Sequence, residues 1–504
     1  MKTTYRIISV LVASLCLLCA CSSSLDEELT LNSYAPLTLS VSVGNYTPTG
    51  SGVQTRAANA NAYPFTFRNG DQLGIIALQN GEIVEKYNNI PFTYQDGKWA
   101  STPPLPFSSA YQYLVYYPYQ KDMANKTTKA AIIAAFTPKT DQSSEGNHRA
   151  SDLLVCDLIT PAITDKTLNV TFQHALSLLV IPPVKANITS EGTAYQCGLP
   201  FTDARITAGT GTGTDTKDCS SYVASDGTAR LIVKPQTDAS LTSHFTYDNK
   251  SYSSSAGSVT LLANYCYAFK ELETTFTYNF ENAQVGDFYC NTTTTSGTTG
   301  YLIPNNAVSF PNDMKCIGLV FKMGKDNSDD GNYIAVNGTS MSPLRGYVVA
   351  LQDAGIFAWA NKGGAYDFSV GTSTGDSDWK GYSNCQKMKE GTGHDWNITH
   401  FPAANACITF GTAAPTESSG WFLPSCGQLL SLYYNGDLLS GQINKLKTIS
   451  SYVAISWFLP FNYWSSSERL YSSSISARYV YFGGGSVHSN YKSYGNNVRS
   501  ILAF

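Results

Sequence analysis

The pattern of apolar and polar positions predicts strands along most of the chain. Leu37-Thr38-Leu39-Ser40-Val41-Ser42-Val43 alternates strictly, the signature of a half-buried strand with its leucines and valines inward. Phe65 to Leu78 reads as strand, turn, strand, with Asn69-Gly70 as the turn. Further apolar runs follow at Tyr111 to Tyr119, Val170 to Ile181, Ser258 to Leu262, Cys316 to Phe321, Gly346 to Leu351 and Ala477 to Phe482. The main helical spacing lies between Cys426 and Leu446, through Leu429, Leu430, Leu432 and Tyr433, with an interruption at Asn435-Gly436. The last stretch, Val498-Arg499-Ser500-Ile501-Leu502-Ala503-Phe504, is apolar where a frayed terminus is polar, so it is expected as a strand inside a core.

Composition narrows the class. A chain of 504 residues has room for about three domains. Charged residues are 14% of the total and the net charge is −4, so there is no polycationic surface for nucleic acid. Tyrosine (33 residues), serine, threonine, asparagine and glycine suit an extracellular β-protein. Lys2 and Arg6 precede an apolar run from Ile7 to Leu18, too short for a stable membrane span and suited to a signal segment. The run ends in Leu18-Cys19-Ala20-Cys21 and resembles a bacterial lipobox, which makes Cys21 the expected lipid-attachment site; the plainer alternative is a signal peptide with incidental cysteines. The nine later cysteines are odd in number and contain no CxxC pair, which argues against a zinc site and a dense disulfide framework.

After Cys21 come a polar tether, the strand at Leu37 to Val43, and a flexible stretch ending in Thr55-Arg56-Ala57-Ala58. Arg56 stands alone among small residues, a setting open to an arginine-specific protease that would cut before Ala57; an exposed arginine with no such role is the plain alternative. The ordered set of Thr-Arg-Ala, Phe65 to Leu78, Tyr111 to Tyr119, Ser151 to Leu154 and Val170 to Ile181 behind a lipobox resembles the fimbrillin family, the lipoprotein pilins of type V pili, over about residues 36–272. The resemblance implies a lipidated outer-membrane precursor, cleavage at Arg56 and Ala57 that removes the first strand, and entry of a strand from a neighbouring pilin into the vacated groove. It implies a signal peptide at 1–20, a propeptide at 21–56 and β-sandwich pilin domains at 57–165 and 166–272. His174, a lone histidine in an apolar strand with no carboxylate or cysteine beside it, is assigned no chemistry.

Six of the seven tryptophans follow residue 350. A strand at Cys316 to Phe321, then Val349-Ala350-Leu351-Gln352-Asp353-Ala354, Trp421-Phe422-Leu423-Pro424-Ser425, Tyr463-Trp464-Ser465-Ser466-Ser467-Glu468 and Val498 to Phe504 together resemble the C-type-lectin-like domains of bacterial surface proteins and tip pilins, over 279–504. The fold class expected is therefore mostly β: two tandem β-sandwich pilin domains, then an α+β lectin-like domain. Gln428 stands where that family often carries Glu. Trp421 and Trp464 sit in segments that read as core, whereas Trp379, Tyr382 and Trp396 lie in a glycine-rich region where exposed rings could stack on sugars or peptides; with Asp395 they are the candidate ligand-binding residues. Asp326 to Gly331 begins like a calcium loop, but Asn337 stands where the bidentate Glu belongs, so no metal is assigned.

The expected function is a tip or accessory pilin that accepts a partner strand, spends its own last strand inside a globular domain, and binds a host or bacterial surface glycan or protein. The alternative is a glycan-binding lipoprotein that stays anchored. No cofactor is implied, and no nucleophile-base constellation or phosphate loop points to an enzyme.

Overall fold

The computed structural model describes residues 35–48, 63–165, 167–210, 217–247, 250–295, 297–361, 367–391, 395–453 and 455–504. Cys21, Arg56 and Ala57 lie outside the described residues. The first unit is an eight-stranded sheet. Its edge strand, Thr38–Val43, runs parallel to Thr167–His174, with Leu39 opposite Leu168, Val41 opposite Val170 and Val43 opposite Phe172. The sheet continues through Leu154–Val155, Gln112–Tyr117, Gln72–Gln79, Ile90–Gln95 and Lys98–Ala100, with Glu82–Ile83 paired beside Gln72–Gln79. The alternation of Leu37 to Val43 does what its spacing dictates: serines and threonine face out, and Leu39, Val41 and Val43 pack on a core of Leu73, Ile75, Phe92, Trp99 and Phe172.

Two expectations about this unit change. Phe65 to Phe67 is not a strand; only Gln72–Gln79 enters the sheet after the Asn69-Gly70 turn. The two phenylalanines instead lie against the core, edge-on to Tyr117, so their hydrophobicity fills space rather than marking a ladder. The run from Val170 to Ile181 is also not continuous. Thr167–His174 closes the first sheet, while Ser177–Ile181 opens the next, so the junction falls at Ala175-Leu176 rather than between 165 and 166.

Among the described residues, the second unit has three sheets. Five strands run in the order Tyr222–Val223, Ala229–Val233, Ser177–Ile181, Tyr265–Ala268 and Thr47–Pro48. Three more run Thr193–Leu199, Val184–Ser190 and Glu273–Thr277, and four run Lys217–Ser220, Asp203–Thr210, Gln236–Tyr247 and Lys250–Leu261. The acidic stretch expected to end this unit at 272 instead leads into Glu273–Thr277, which pairs in parallel with Val184–Ser190.

Among the described residues, the C-terminal unit combines two five-stranded sheets with four α-helices, Gly381–Glu390, Pro402–Ile408, Cys426–Tyr434 and Gly436–Leu446. The helical spacing from Cys426 to Leu446 is real and breaks at Asn435 as expected. Ser425 starts the first of these helices through a capping box in which Gln428 Oε1 accepts from the Ser425 N–H at 2.8 Å. Ile501–Ala503 pairs with Gly346–Ala350, and the Phe504 carbonyl accepts from the Arg345 N–H at 2.7 Å and the Gly346 N–H at 3.1 Å. All nine cysteines among the described residues are buried thiols.

Candidate functional site

Residues 35–48 are shared between two units. The Leu37 N–H donates to the Leu105 carbonyl at 2.7 Å and the Gly44 N–H to the Phe172 carbonyl at 2.9 Å, fixing the strand in the first unit. Gly44 passes so close to the Gln173 amide that a Cβ would meet it at 2.9 Å. Beyond this point the chain crosses over. The Thr47 N–H donates to the Asn264 carbonyl at 2.7 Å, and Thr47–Pro48 pairs in parallel with Tyr265 and Cys266 of the second unit.

Tyr46 sits at the crossing and is 3% exposed. Its ring stacks on the His174 imidazole, with centroids 3.7 Å apart and planes at 18°. Its hydroxyl donates to Asp152 Oδ1 at 3.0 Å, and the same oxygen lies 2.8 Å from His174 Nδ1. Burial, reinforced by the Asp152 charge, pushes the Tyr46 phenol well above its usual range, so it remains a donor. His174 therefore has a carboxylate partner that reading along the sequence missed. Asp152 lies 22 residues away, brought close because Leu154–Val155 pairs with the end of Thr167–His174. His174 Nε2 is buried without a hydrogen-bond partner among the described residues. A cavity of about 140 Å³ adjoins the cluster, walled in part by Tyr63, Phe65, His148, Arg149 and Arg230. Burial pushes His148 down to about 4, which leaves it uncharged at neutral pH.

The candidate ligand-binding aromatics of the C-terminal unit are corrected in part. Trp379 is 6% exposed and packs against Tyr347 and Phe321, and Tyr382 is 8% exposed and stacks on Tyr333 at 4.7 Å. The Tyr382 hydroxyl donates to the Ile334 carbonyl at 3.1 Å. A glycine-rich neighbourhood thus marks close packing: a Cβ on Gly381 would meet Gln428 Oε1 at 2.2 Å, so Gly381 lets its helix start against Ser425–Gln428 while the rings on either side fill the core. Trp396 is half-buried against Phe368 and Phe401, at the edge of the apolar cluster that buries Trp379 and Tyr382, and Asp395 is exposed. Trp421 and Trp464 are core, their indole N–H groups donating to the Thr412 carbonyl at 2.7 Å and the Phe357 carbonyl at 3.0 Å. In the calcium-like loop, Asp329 turns inward to the hydroxyls of Tyr333 and Tyr347.

Exposed rings occur elsewhere. Tyr434 is 75% exposed at the rim of an open hollow of about 390 Å³, which Tyr433, Asp437, Ser440, Trp457 and Phe482 also line. The nearest sequence signal is the Asn435-Gly436 helix break, just before which Tyr434 ends its helix.

Fold and site together define a mostly β, multi-unit protein whose leading strand completes the sheets of two successive units. Residues 55–271 match the fimbrillin-like family model. Over 487 residues the chain is 24% identical to a Bacteroides ovatus protein named "Putative fimbrium tip subunit Fim1C", covering 84% of this chain and 86% of that one. A solved structure of a fimbrial protein from Bacteroides ovatus aligns over 94% of this chain and 100% of its own, at 20% identity and a TM-score of 0.39.

Proposed function

We propose that this protein is a tip or accessory subunit of a type V pilus, assembled after its leading strand is cut away. The observation that carries this reading is the seating of residues 37–48: an edge strand and its continuation complete sheets in two units, and both precede the Arg56-Ala57 bond. Removing them bares a row of unpaired backbone groups beside Thr167–His174 and an apolar slot over Phe172, a seat for strand addition by a partner pilin. Ile501–Ala503 is committed to the C-terminal sheet. Lipid on Cys21 holds the precursor at the outer membrane until the cut. N-terminal sequencing of the protein from sheared surface fibres tests this: Ala57 is expected, and Arg56→Ala protein is expected to stay lipidated and outside the fibre. Arg56→Ala protein found in fibres at full length would end the cleavage reading. Retention of the lipid with Arg56 intact would favour the anchored glycan-binding lipoprotein.

The C-terminal unit, read as lectin-like, is the adhesive part. Its contact surface centres on Tyr434, whose exposed ring lies beside the half-buried Trp457, the Asp437 carboxylate and the Ser440 hydroxyl, a combination suited to glycan or protein surfaces. Asp395 and half-buried Trp396 form a smaller candidate patch, while Trp379 and Tyr382 support the fold. Because Tyr434 is mostly exposed, Tyr434→Ala is expected to leave the melting temperature within about 1–2 °C of wild type and to lower adhesion of fibre-bearing cells severalfold. Unchanged adhesion would remove this surface from the reading.

A further inference from the structure

Two features of the crossing segment are not explained by apolar strand pairing alone. The inward side chains Leu39, Val41 and Val43 need only hydrophobic replacements, which many strands supply. Three residues beyond Val43 the seat changes character. Tyr46 faces a buried histidine and a buried aspartate, and supplies both an aromatic face and a hydroxyl donor. Among the described residues, His174 has one hydrogen bond, to Asp152, and one stacked ring, and its Nε2 is buried without a partner. Taking Tyr46 away strips the ring face from His174 and a donor from Asp152 Oδ1, in a cavity that stays walled by Leu178 and Ile232. Burying a carboxylate short of a donor is costly, so the seat discriminates by hydrogen bonding as well as by fit.

We propose that the Tyr46 seat is a selectivity pocket for the incoming strand, which must place a tyrosine three residues after its last inward apolar side chain. This rests on the reading that residues up to Arg56 are removed and replaced. Phenylalanine would restore the stack on His174 but not the bond to Asp152, and a small side chain would restore neither. The partner is thus defined chemically: an extended segment alternating apolar and small polar residues over seven positions, followed by a turn past the Gly44 position and a tyrosine.

The test uses the full chain cut after Arg56 by an arginine-specific protease, with loss of residues 1–56 verified by mass. Labelled synthetic peptides of residues 35–48 are titrated by fluorescence anisotropy, as the native sequence and as its Tyr46→Phe and Tyr46→Ala versions. The native peptide is expected to bind roughly tenfold or more tightly than Tyr46→Phe, the range for a hydrogen bond to a charged group, and Tyr46→Ala more weakly still. In Asp152→Asn protein the native and Tyr46→Phe peptides should bind within a factor of about 3, since a neutral acceptor gains less from the hydroxyl. Equal binding of the native and Tyr46→Phe peptides to the unaltered cut protein would overturn the selectivity pocket while leaving strand replacement intact. If residues 1–56 stay bound after the cut and no peptide enters, strand replacement itself fails, and the pocket with it. Varying the peptide on an unchanged receptor keeps the result independent of whether Asp152→Asn folds.

Discussion

Asp378 shows how one residue's surroundings set a measurable property. It lies between the glycine-rich region and the Ser425 helix start: its carboxylate accepts from the Ser467 hydroxyl at 3.1 Å, and its carbonyl from the Gly427 N–H at 3.0 Å and the Ser425 hydroxyl at 2.6 Å. Burial pushes its carboxyl up to about 6, with the Ser467 bond opposing that shift. The folded state therefore holds this proton more tightly than the unfolded chain, whose aspartate titrates near 4. Below about pH 4 both states are protonated and no penalty arises; between 4 and 6 the folded form alone is increasingly protonated; above 6 the full cost of a buried charge is present. Acidification from pH 7.5 to 5 should thus raise the stability of the C-terminal unit, by an amount on the order of 1–3 kcal/mol. Asp378→Asn should flatten that rise. A thermal-melt series at several pH values checks it, and an identical slope in the variant would assign the effect to another group.

At the scale of elements, what the sequence made legible depended on whether local spacing or distant partners decided the outcome. Leu37 to Val43 was readable because period-two alternation alone fixes a half-buried strand, whatever its neighbour. The helices from Cys426 to Leu446 were readable because spacing and cap act within a few residues; Gln428 fills the capping-box role of Glu, and its Nε2 reaches the Trp379 carbonyl at 3.4 Å, which a carboxylate could not do. The junction near Ala175 was not readable, because the break between Thr167–His174 and Ser177–Ile181 is set by which sheet each half joins, and apolar residues run through both. The candidate aromatics failed for a related reason. Glycine content around Trp379 and Tyr382 reports tight backbone approach, and whether a nearby ring then points to solvent or to a core is a tertiary matter. His174 looked inert for want of a partner that sits 22 residues back and a third, Tyr46, more than a hundred residues away.

At the scale of the molecule, the second and C-terminal units share one core rather than touching through a linker. A single apolar cluster runs from Leu179, Val184 and Leu199 through Phe288, Leu319 and Trp379 to Ala503. Polar contacts stitch the same boundary: the Tyr195 hydroxyl donates to the Leu302 carbonyl, the Leu302 N–H donates to Ser190 Oγ at 3.0 Å, and the Gly198 N–H donates to Ser309 Oγ at 2.8 Å. In the proposed pilus role the C-terminal unit would transmit load to the unit beneath it, and a common core does so without a hinge. These two units should therefore unfold in one calorimetric transition. Gly198 is the place to break the coupling, since a Cβ there would meet Ser309 Oγ at 2.5 Å and Val308 behind it at 3.6 Å. Gly198→Leu would wedge the units apart at a cost of about 1–3 kcal/mol, the range for overpacking a fitted contact. The expected result is a second, lower transition in calorimetry and new protease cleavage around residues 304–312, with the first unit's transition unmoved. Two separate transitions for these units in the unaltered protein would show that the shared core does not couple them.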